Sequence, residues 1–138
     1  MRAFVDTNVL LDVLAERKPF YAEAMHFWTL AESGKVDAHI AAISLSNCYY
    51  LVRKHGGKRN AEKAVRLLRD VFTPVDLTAQ ILHQAIDAGF GDFEDAIQFH
   101  SAIHAEAECI VTRNPSHFPG APLPILTAAE FLAAYSFE

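Results

Sequence analysis

The chain alternates short strand-like apolar runs with longer segments of helical spacing, and this alternation limits the available folds more than any other feature. The strand-like runs lie at residues 2–6, 37–43, 72–76, 109–112 and 124–126. Helical patterning covers residues 7–16, 19–33, 44–55, 60–70, 78–88, 93–106 and 128–135. Strands joined by helices pair in parallel, because each helix returns the chain to the same end of the sheet. The sequence therefore predicts an α/β fold: a three-layer α/β/α sandwich with a central parallel sheet of four to five strands, in one domain over residues 1–138.

Composition argues against a membrane protein and against a secreted one. The apolar fraction is 51%, but no uninterrupted apolar run approaches the about 20 residues that a membrane helix needs. The amino terminus enters a strand at once, without a basic flank and apolar leader, and Cys48 and Cys109 are too few for a disulfide framework. We therefore expect a cytoplasmic protein, with no membrane partner, whose two thiols are buried.

The basic residues are concentrated in one segment of an acidic chain. The net charge is −5, yet seven of the twelve Lys and Arg residues lie between positions 53 and 69, where Glu62 is the only acid. These seven are Arg53, Lys54, Lys58, Arg59, Lys63, Arg66 and Arg69. The segment fits a surface that attracts phosphate, and it equally fits a solvated helix face whose apolar side is turned inward.

Carboxylates stand at two places where an apolar segment ends and a predicted helix begins. Asp6 stands at the carboxyl end of the first strand, and Asp92 and Asp95 open the helix predicted from residue 93. Ligands bind at the carboxyl edge of parallel sheets, and carboxylates there suit Mg²⁺ or Mn²⁺. The structural alternative is helix capping: Asp6 would accept hydrogen bonds from the amides of Asn8 or Val9, and Asp92 would cap the later helix.

Other chemically active residues give weaker signals. Asp12 is predicted to be a solvated acid away from the strand edge. His100 and His104 have the spacing of a zinc-binding helix, but Ser101 stands where a metalloprotease needs Glu, so a zinc site is not predicted. Ser44 is the expected N-cap of the helix over 44–55.

Three motifs in order along the chain resemble the PIN domain, in particular the small prokaryotic VapC-like type. They read DTNVLLD at residues 6–12, DFEDAIQ at residues 92–98 and IVTRNP at residues 110–115. The resemblance implies a metal-dependent endoribonuclease that uses Mg²⁺ or Mn²⁺ to hydrolyse RNA. It also implies a toxin held inactive by a cognate antitoxin, and a homodimer.

The resemblance assigns roles to individual residues. Asp6, Asp92 and Asp95 match the acids that bind metal and catalyse, with Asn8 orienting Asp6. Supporting roles fall to Asn47, Thr112 and Asn114. Substrate contacts fall to Arg113, which is placed to reach a phosphate oxygen, and to the basic residues Arg53, Lys54, Lys58 and Arg59, with His117 a weaker candidate.

Two positions depart from the family pattern. Asn47 stands where most PIN domains carry Glu, and Asn114 stands where Asp often follows Thr-Arg. Each change replaces a charged ligand with a neutral amide oxygen, so we expect weak metal binding in the absence of substrate phosphate.

Two other classes of function remain open at this stage. One is a noncatalytic PIN module that binds RNA or a protein partner through the basic segment. The other is a phosphatase of the haloacid dehalogenase type, which also has an acid after its first strand but needs Asp where this chain has Asn8.

The aromatic residues of the second helix give no clear indication of a partner. Phe20, Tyr21, Phe27 and Trp28 fit the core at helical spacing, and they also fit a groove for an antitoxin helix or a dimer face.

Overall fold

The structure, a computed structural model, describes residues 1–137; Glu138, the last residue of the predicted domain, lies outside the described residues. Five strands alternate with six helices, and a short 3₁₀ turn covers Pro115–His117. The strands are β1 (Arg2–Val5), β2 (Asp37–Ala41), β3 (Thr73–Val75), β4 (Cys109–Val111) and β5 (Ile125–Leu126). The helices are α1 (Thr7–Leu14), α2 (Tyr21–Glu32), α3 (Ala42–Val71), α4 (Ala79–Asp87), α5 (Phe93–His104) and α6 (Ala128–Ala134).

The strands form one fully parallel sheet in the order β3-β2-β1-β4-β5. Ala3 of β1 is in register with Ala38 on one side and with Cys109 on the other. The predicted parallel sheet of four to five strands is therefore confirmed, with five. Strand order reverses direction at β1, so the crevice beside the carboxyl ends of β1 and β4 is the place where open α/β sheets bind ligands.

Helices cover both faces of the sheet, as the alternation of side chains along β1 requires. Ala3 and Val5 pack on one face against α1, α2 and α6, where Phe27 and Phe131 meet edge to face with ring centroids 5.0 Å apart. Phe4 points to the other face and packs with Ala102 of α5. The three-layer sandwich is thereby confirmed.

Helix α3 combines two predicted helices. The segments 44–55 and 60–70 are one long element with a kink, where Gly57 adopts φ 85° and ψ 170°. The helix also begins earlier than predicted: Ile43 lies inside it instead of in β2, and Ala41 is its N-cap. The prediction of Ser44 as N-cap is wrong, because the Ser44 hydroxyl is buried and hydrogen-bonded to Thr7.

Several predicted core residues are confirmed. Phe27 and Trp28 are 1% and 4% exposed, so they belong to the core, whereas Phe20 is 40% exposed. Cys48 and Cys109 are fully buried, and burial raises the pKa of each thiol to about 12. Within residues 1–137, every helix is too short or too polar to cross a membrane.

Candidate functional site

A cleft of about 490 Å³ opens at the carboxyl ends of β1 and β4. Its walls come from α1, α3, the start of α5 and the segment after β4. Most of the residues that line it are polar: Asp6, Thr7, Asn8, Asn47, Asp92, Glu94, Asp95, Asn114 and His117. Acids from opposite ends of the sequence therefore line the same cleft, at the carboxyl edge of the sheet.

Asp6 is the buried acid of the cleft. Its side chain is held at both oxygens: the Thr7 amide donates to Oδ1 at 2.7 Å, and the Thr112 hydroxyl donates to Oδ2 at 2.8 Å. Asp6 thus caps α1, although through the amide of Thr7 and not those of Asn8 or Val9. Capping and a role in the cleft are both compatible with this geometry.

The environment of Asp6 disfavours its negative charge. The residue is only 6% exposed, and burial raises the pKa of its carboxyl to about 6. The Thr112 hydrogen bond opposes this shift, while the nearby charges of Asp95 and Glu94 add to it. Among the described residues, no Lys, Arg or His forms an ion pair with Asp6.

Asp92 and Asp95 enter the cleft from the start of α5. Asp92 is the N-cap of this helix, since its Oδ1 accepts a hydrogen bond of 2.9 Å from the Asp95 amide. The pKa of Asp95 is raised, mainly by burial and then by the charge of Asp92. His117 opposes that shift, and its Nδ1 lies 3.3 Å from Asp95 Oδ2.

A buried polar triangle fixes the three helices that surround the cleft. The hydroxyls of Thr7 on α1 and Ser44 on α3 are 2.7 Å apart. Gln98 of α5, which is fully buried, donates from Nε2 to both of them at 3.2 Å. Because each helix contributes one member, the triangle ties the bases of the cleft walls together.

The segment after β4 is tied to the same site. Thr112 Oγ1 accepts a hydrogen bond from the Asn114 amide at 3.2 Å, while donating to Asp6. Asn8 Oδ1 accepts from the Arg113 amide at 3.3 Å. Asn8 and Thr112 therefore hold the strand-end loop in place, and Asn8, which the resemblance assigns to orienting Asp6, accepts its hydrogen bond from the Arg113 amide instead.

Two sequence expectations are revised by the contacts of Arg113. Asp12 is 2% exposed and not solvated, and its carboxylate pairs with the Arg113 guanidinium through both Nε and Nη2. The guanidinium carbon also lies 4.2 Å from the centroid of the Phe20 ring. Arg113 is absent from the cleft lining, because its charge is engaged on the other side of α1.

The basic residues predicted to contact substrate are exposed but do not line the cleft. Arg53, Lys54, Lys58 and Arg59 follow closely after Tyr50 and Leu51, the α3 residues that complete the cleft wall. None of the four therefore lies in the cleft lining, and Arg53 and Lys54 are the nearest of them to Leu51 along α3.

Glu94 is a cleft acid that the sequence does not single out. Its carboxylate oxygen Oε1 accepts a 2.9 Å hydrogen bond from Asn47 Nδ2. The available signal was the neutral Asn47 at a position where the resemblance expects an acid. The sequence could not show that these two residues meet, because 47 positions separate them.

The donor set fits a hard divalent cation. Within residues 1–137, no three His, Cys, Asp or Glu side chains are gathered closely enough to form a ready-made metal cluster. The cleft nevertheless offers carboxylate and amide oxygens, the ligands that Mg²⁺ and Mn²⁺ prefer. Buried carboxylates in proteins are paired or bind metal, and Asp6 has no cationic side chain as a partner among those described.

Comparisons with known proteins agree with this geometry. A PIN domain family model matches residues 2–116. A protein named Ribonuclease VapC1, from Aquifex aeolicus, is 24% identical over 134 residues, which cover 94% of this chain and 92% of that protein.

Solved structures of similar fold include toxin–antitoxin proteins. DNA-bound VapBC from Salmonella typhimurium superposes with a TM-score of 0.70 at 17% identity, covering 93% of this chain and 98% of that one. Mycobacterium tuberculosis VapC20, described as a sarcin-ricin loop cleaving toxin, has a TM-score of 0.63 at 20% identity and covers 78% and 86%.

Proposed function

The chain belongs to the PIN domain family, and we propose that it is a metal-dependent endoribonuclease that hydrolyses RNA phosphodiester bonds as the toxin of a toxin–antitoxin pair. One observation carries the proposal: Asp6, Asp92 and Asp95 line a single cleft, and the buried Asp6 has no ion-pair partner among the described residues. The names of the Aquifex and Mycobacterium proteins support the choice of RNA as substrate.

Asp6, Asp92 and Asp95 are the residues that would hold Mg²⁺ or Mn²⁺. Such an ion, when bound, activates water for attack on phosphorus and neutralises the charge of the phosphate oxygens. Thr112 and the Thr7 amide fix both oxygens of Asp6, so that this carboxylate is oriented before any ligand arrives. Asn47 and Asn114 offer neutral oxygens at the same cleft.

In this proposal the basic segment binds the RNA, while the acids of the cleft bind the metal. An acidic cleft on a chain of net charge −5 repels RNA, so binding needs cationic side chains nearby. Arg53, Lys54, Lys58 and Arg59 are exposed on α3, the helix that also contributes Asn47 and Leu51 to the cleft, and they would contact flanking phosphates. Arg113 would act through the ion pair with Asp12, holding the loop after β4 against α1.

The test is cleavage of structured RNA by the purified protein with Mn²⁺ or Mg²⁺, with and without chelator. We expect cleavage that depends on the added metal and is lost in Asp6→Asn. Metal-independent cleavage, or full activity of the variant, would contradict the mechanism.

The second candidate is a noncatalytic PIN module, which the neutral side chains of Asn47 and Asn114 favour. It predicts RNA binding through the basic segment without cleavage under any metal condition. Measuring binding and cleavage on the same RNA separates the two candidates.

For partners, we propose a cognate antitoxin and a second copy of this chain, in the cytoplasm where the RNA substrate is found. A second cavity of about 550 Å³ lies between α1 and α3, and its lining includes Leu11, Leu14, Leu51 and Leu67. An apolar groove of this kind suits an amphipathic antitoxin helix. Copurification with the product of an adjacent gene tests the antitoxin, and sedimentation analysis tests the dimer.

A further inference from the structure

Glu94 lies in the first turn of α5 but contributes no capping contact there. Asp92 caps the helix through the Asp95 amide, and the Glu94 side chain instead reaches across the cleft to α3. There its Oε1 accepts a hydrogen bond of 2.9 Å from Asn47 Nδ2. The Asn47 side chain is half-buried, so this bond fixes the direction of an otherwise exposed carboxylate.

Glu94 lines the same cleft as the other three acids, Asp6, Asp92 and Asp95. Within residues 1–137, Glu94 has no ion pair with Lys, Arg or His. Holding a fourth acid toward three others is unfavourable unless a cation is bound among them.

We infer that Glu94 is a fourth carboxylate ligand of the divalent ion, direct or through water, and that Asn47 is the positioning residue that aims it into the cleft. This inference rests on the proposed function, and it deepens it by completing the acid set. The site then keeps its negative charge although residue 47 is a neutral Asn, because Glu94 of α5, the hydrogen-bond partner of Asn47, supplies a carboxylate.

The competing explanation is favourable interaction with the α5 dipole. An acid in a first helical turn is worth about 0.3–1 kcal/mol of stability and needs no partner on another helix. Such a role predicts that removing the charge lowers stability and leaves metal affinity unchanged.

The experiment is a titration of the metal-free protein with Mn²⁺, in which the free ion is followed by its electron paramagnetic resonance signal. We expect Glu94→Gln to weaken Mn²⁺ binding by roughly tenfold. The swapped variant Asn47→Glu/Glu94→Gln, which moves the carboxylate across the same hydrogen bond, should recover most of the lost affinity. The matched control is Glu23→Gln, since Glu23 is also a first-turn acid but belongs to α2, away from the cleft.

The outcomes separate this inference from the proposed function. If Asp6→Asn loses Mn²⁺ affinity while Glu94→Gln binds like the wild type, Glu94 is not a ligand and the metal site stands without it. If the swapped variant binds no better than Glu94→Gln, the positioning role of Asn47 is wrong. If the wild type binds no Mn²⁺ at this site, both the inference and the proposed function fail.

Discussion

The buried position of Asp6 in the cleft lowers the stability of the fold when no metal is bound. Its carboxylate is 6% exposed, lies near the charges of Asp95 and Glu94, and has a pKa raised to about 6. Because the unfolded chain ionises more easily, the folded state loses stability as the pH rises from the ordinary Asp pKa of 3.8 to about 6, and the full cost remains at any higher pH. At neutral pH, only a bound cation relieves this cost.

The first prediction follows from the stability cost of keeping Asp6 ionised and buried. Asp6→Asn should abolish RNA cleavage and, in chelator, should raise the free energy of unfolding by about 1–3 kcal/mol at pH 7. The amide oxygen can still accept from the Thr7 amide, so the cap of α1 survives. Urea unfolding at pH 7 in chelator measures the effect; a clear loss of stability would show that the negative charge of Asp6 supports the fold.

A second residue-scale prediction concerns the buried pair of Asp12 and Arg113. Arg113→Met leaves the Asp12 carboxylate buried without its partner and should cost about 3–5 kcal/mol of stability. The double variant Asp12→Leu/Arg113→Met removes both charges and should recover most of that loss. Equal destabilisation of the single and double variants in thermal unfolding would argue against the ion pair as the cause.

At the scale of elements, helix α3 has a kink at Gly57, within the basic segment. Gly57 has φ 85° and ψ 170°, a backbone region that only glycine adopts without strain, and a Cβ built there meets no atom within 4 Å. The penalty for a side chain at this position is therefore conformational and not steric.

The third prediction compares Gly57 with Gly56, its neighbour at the same kink. Gly57→Ala should destabilise the protein by about 1–3 kcal/mol, whereas Gly56→Ala should change stability little, since its Cβ would press only on the flexible Asn60 side chain at 3.3 Å. Thermal unfolding of the two variants tests this, and similar losses at both positions would show that the φ angle is not decisive.

The elements themselves were largely readable from sequence, since helical spacing and strand-like runs are local properties. The parallel sheet and most element boundaries followed from these properties, and Asp92 caps α5 as the capping alternative predicted. Ser44 misled the prediction because its hydroxyl is used in a buried triangle with Thr7 and Gln98 instead of at a helix end. From the sequence alone, a serine that caps a helix cannot be distinguished from a serine that forms a tertiary hydrogen bond.

The site shows the same division between local and long-range information. Asp6, Asp92 and Asp95 were found because strand ends and helix starts are visible locally. The partners Asp12–Arg113 and Asn47–Glu94 were not, because each pair joins elements far apart in the chain. One sequence carries no signal for such contacts.

At the scale of the whole molecule, the proposed function requires an acidic protein to bind an acidic polymer through one cationic region. Lys54→Gln should weaken RNA binding and lower the slope of log affinity against log salt by about 0.7, the value for one phosphate contact on a single strand. The control is Lys35→Gln, which should leave the slope unchanged, because Lys35 comes just before β2, at the amino ends of the parallel strands and away from the cleft at their carboxyl ends. Equal effects of the two substitutions would show that only overall charge matters.

The most direct test of the central claim, that Asp6 and Asp95 share one divalent ion, is an anomalous difference map from crystals soaked in millimolar Mn²⁺. The account predicts a peak in the cleft within bonding distance of carboxylate oxygens from both residues. A map without a peak there, or one in which the two carboxylates point to separate regions, would contradict it.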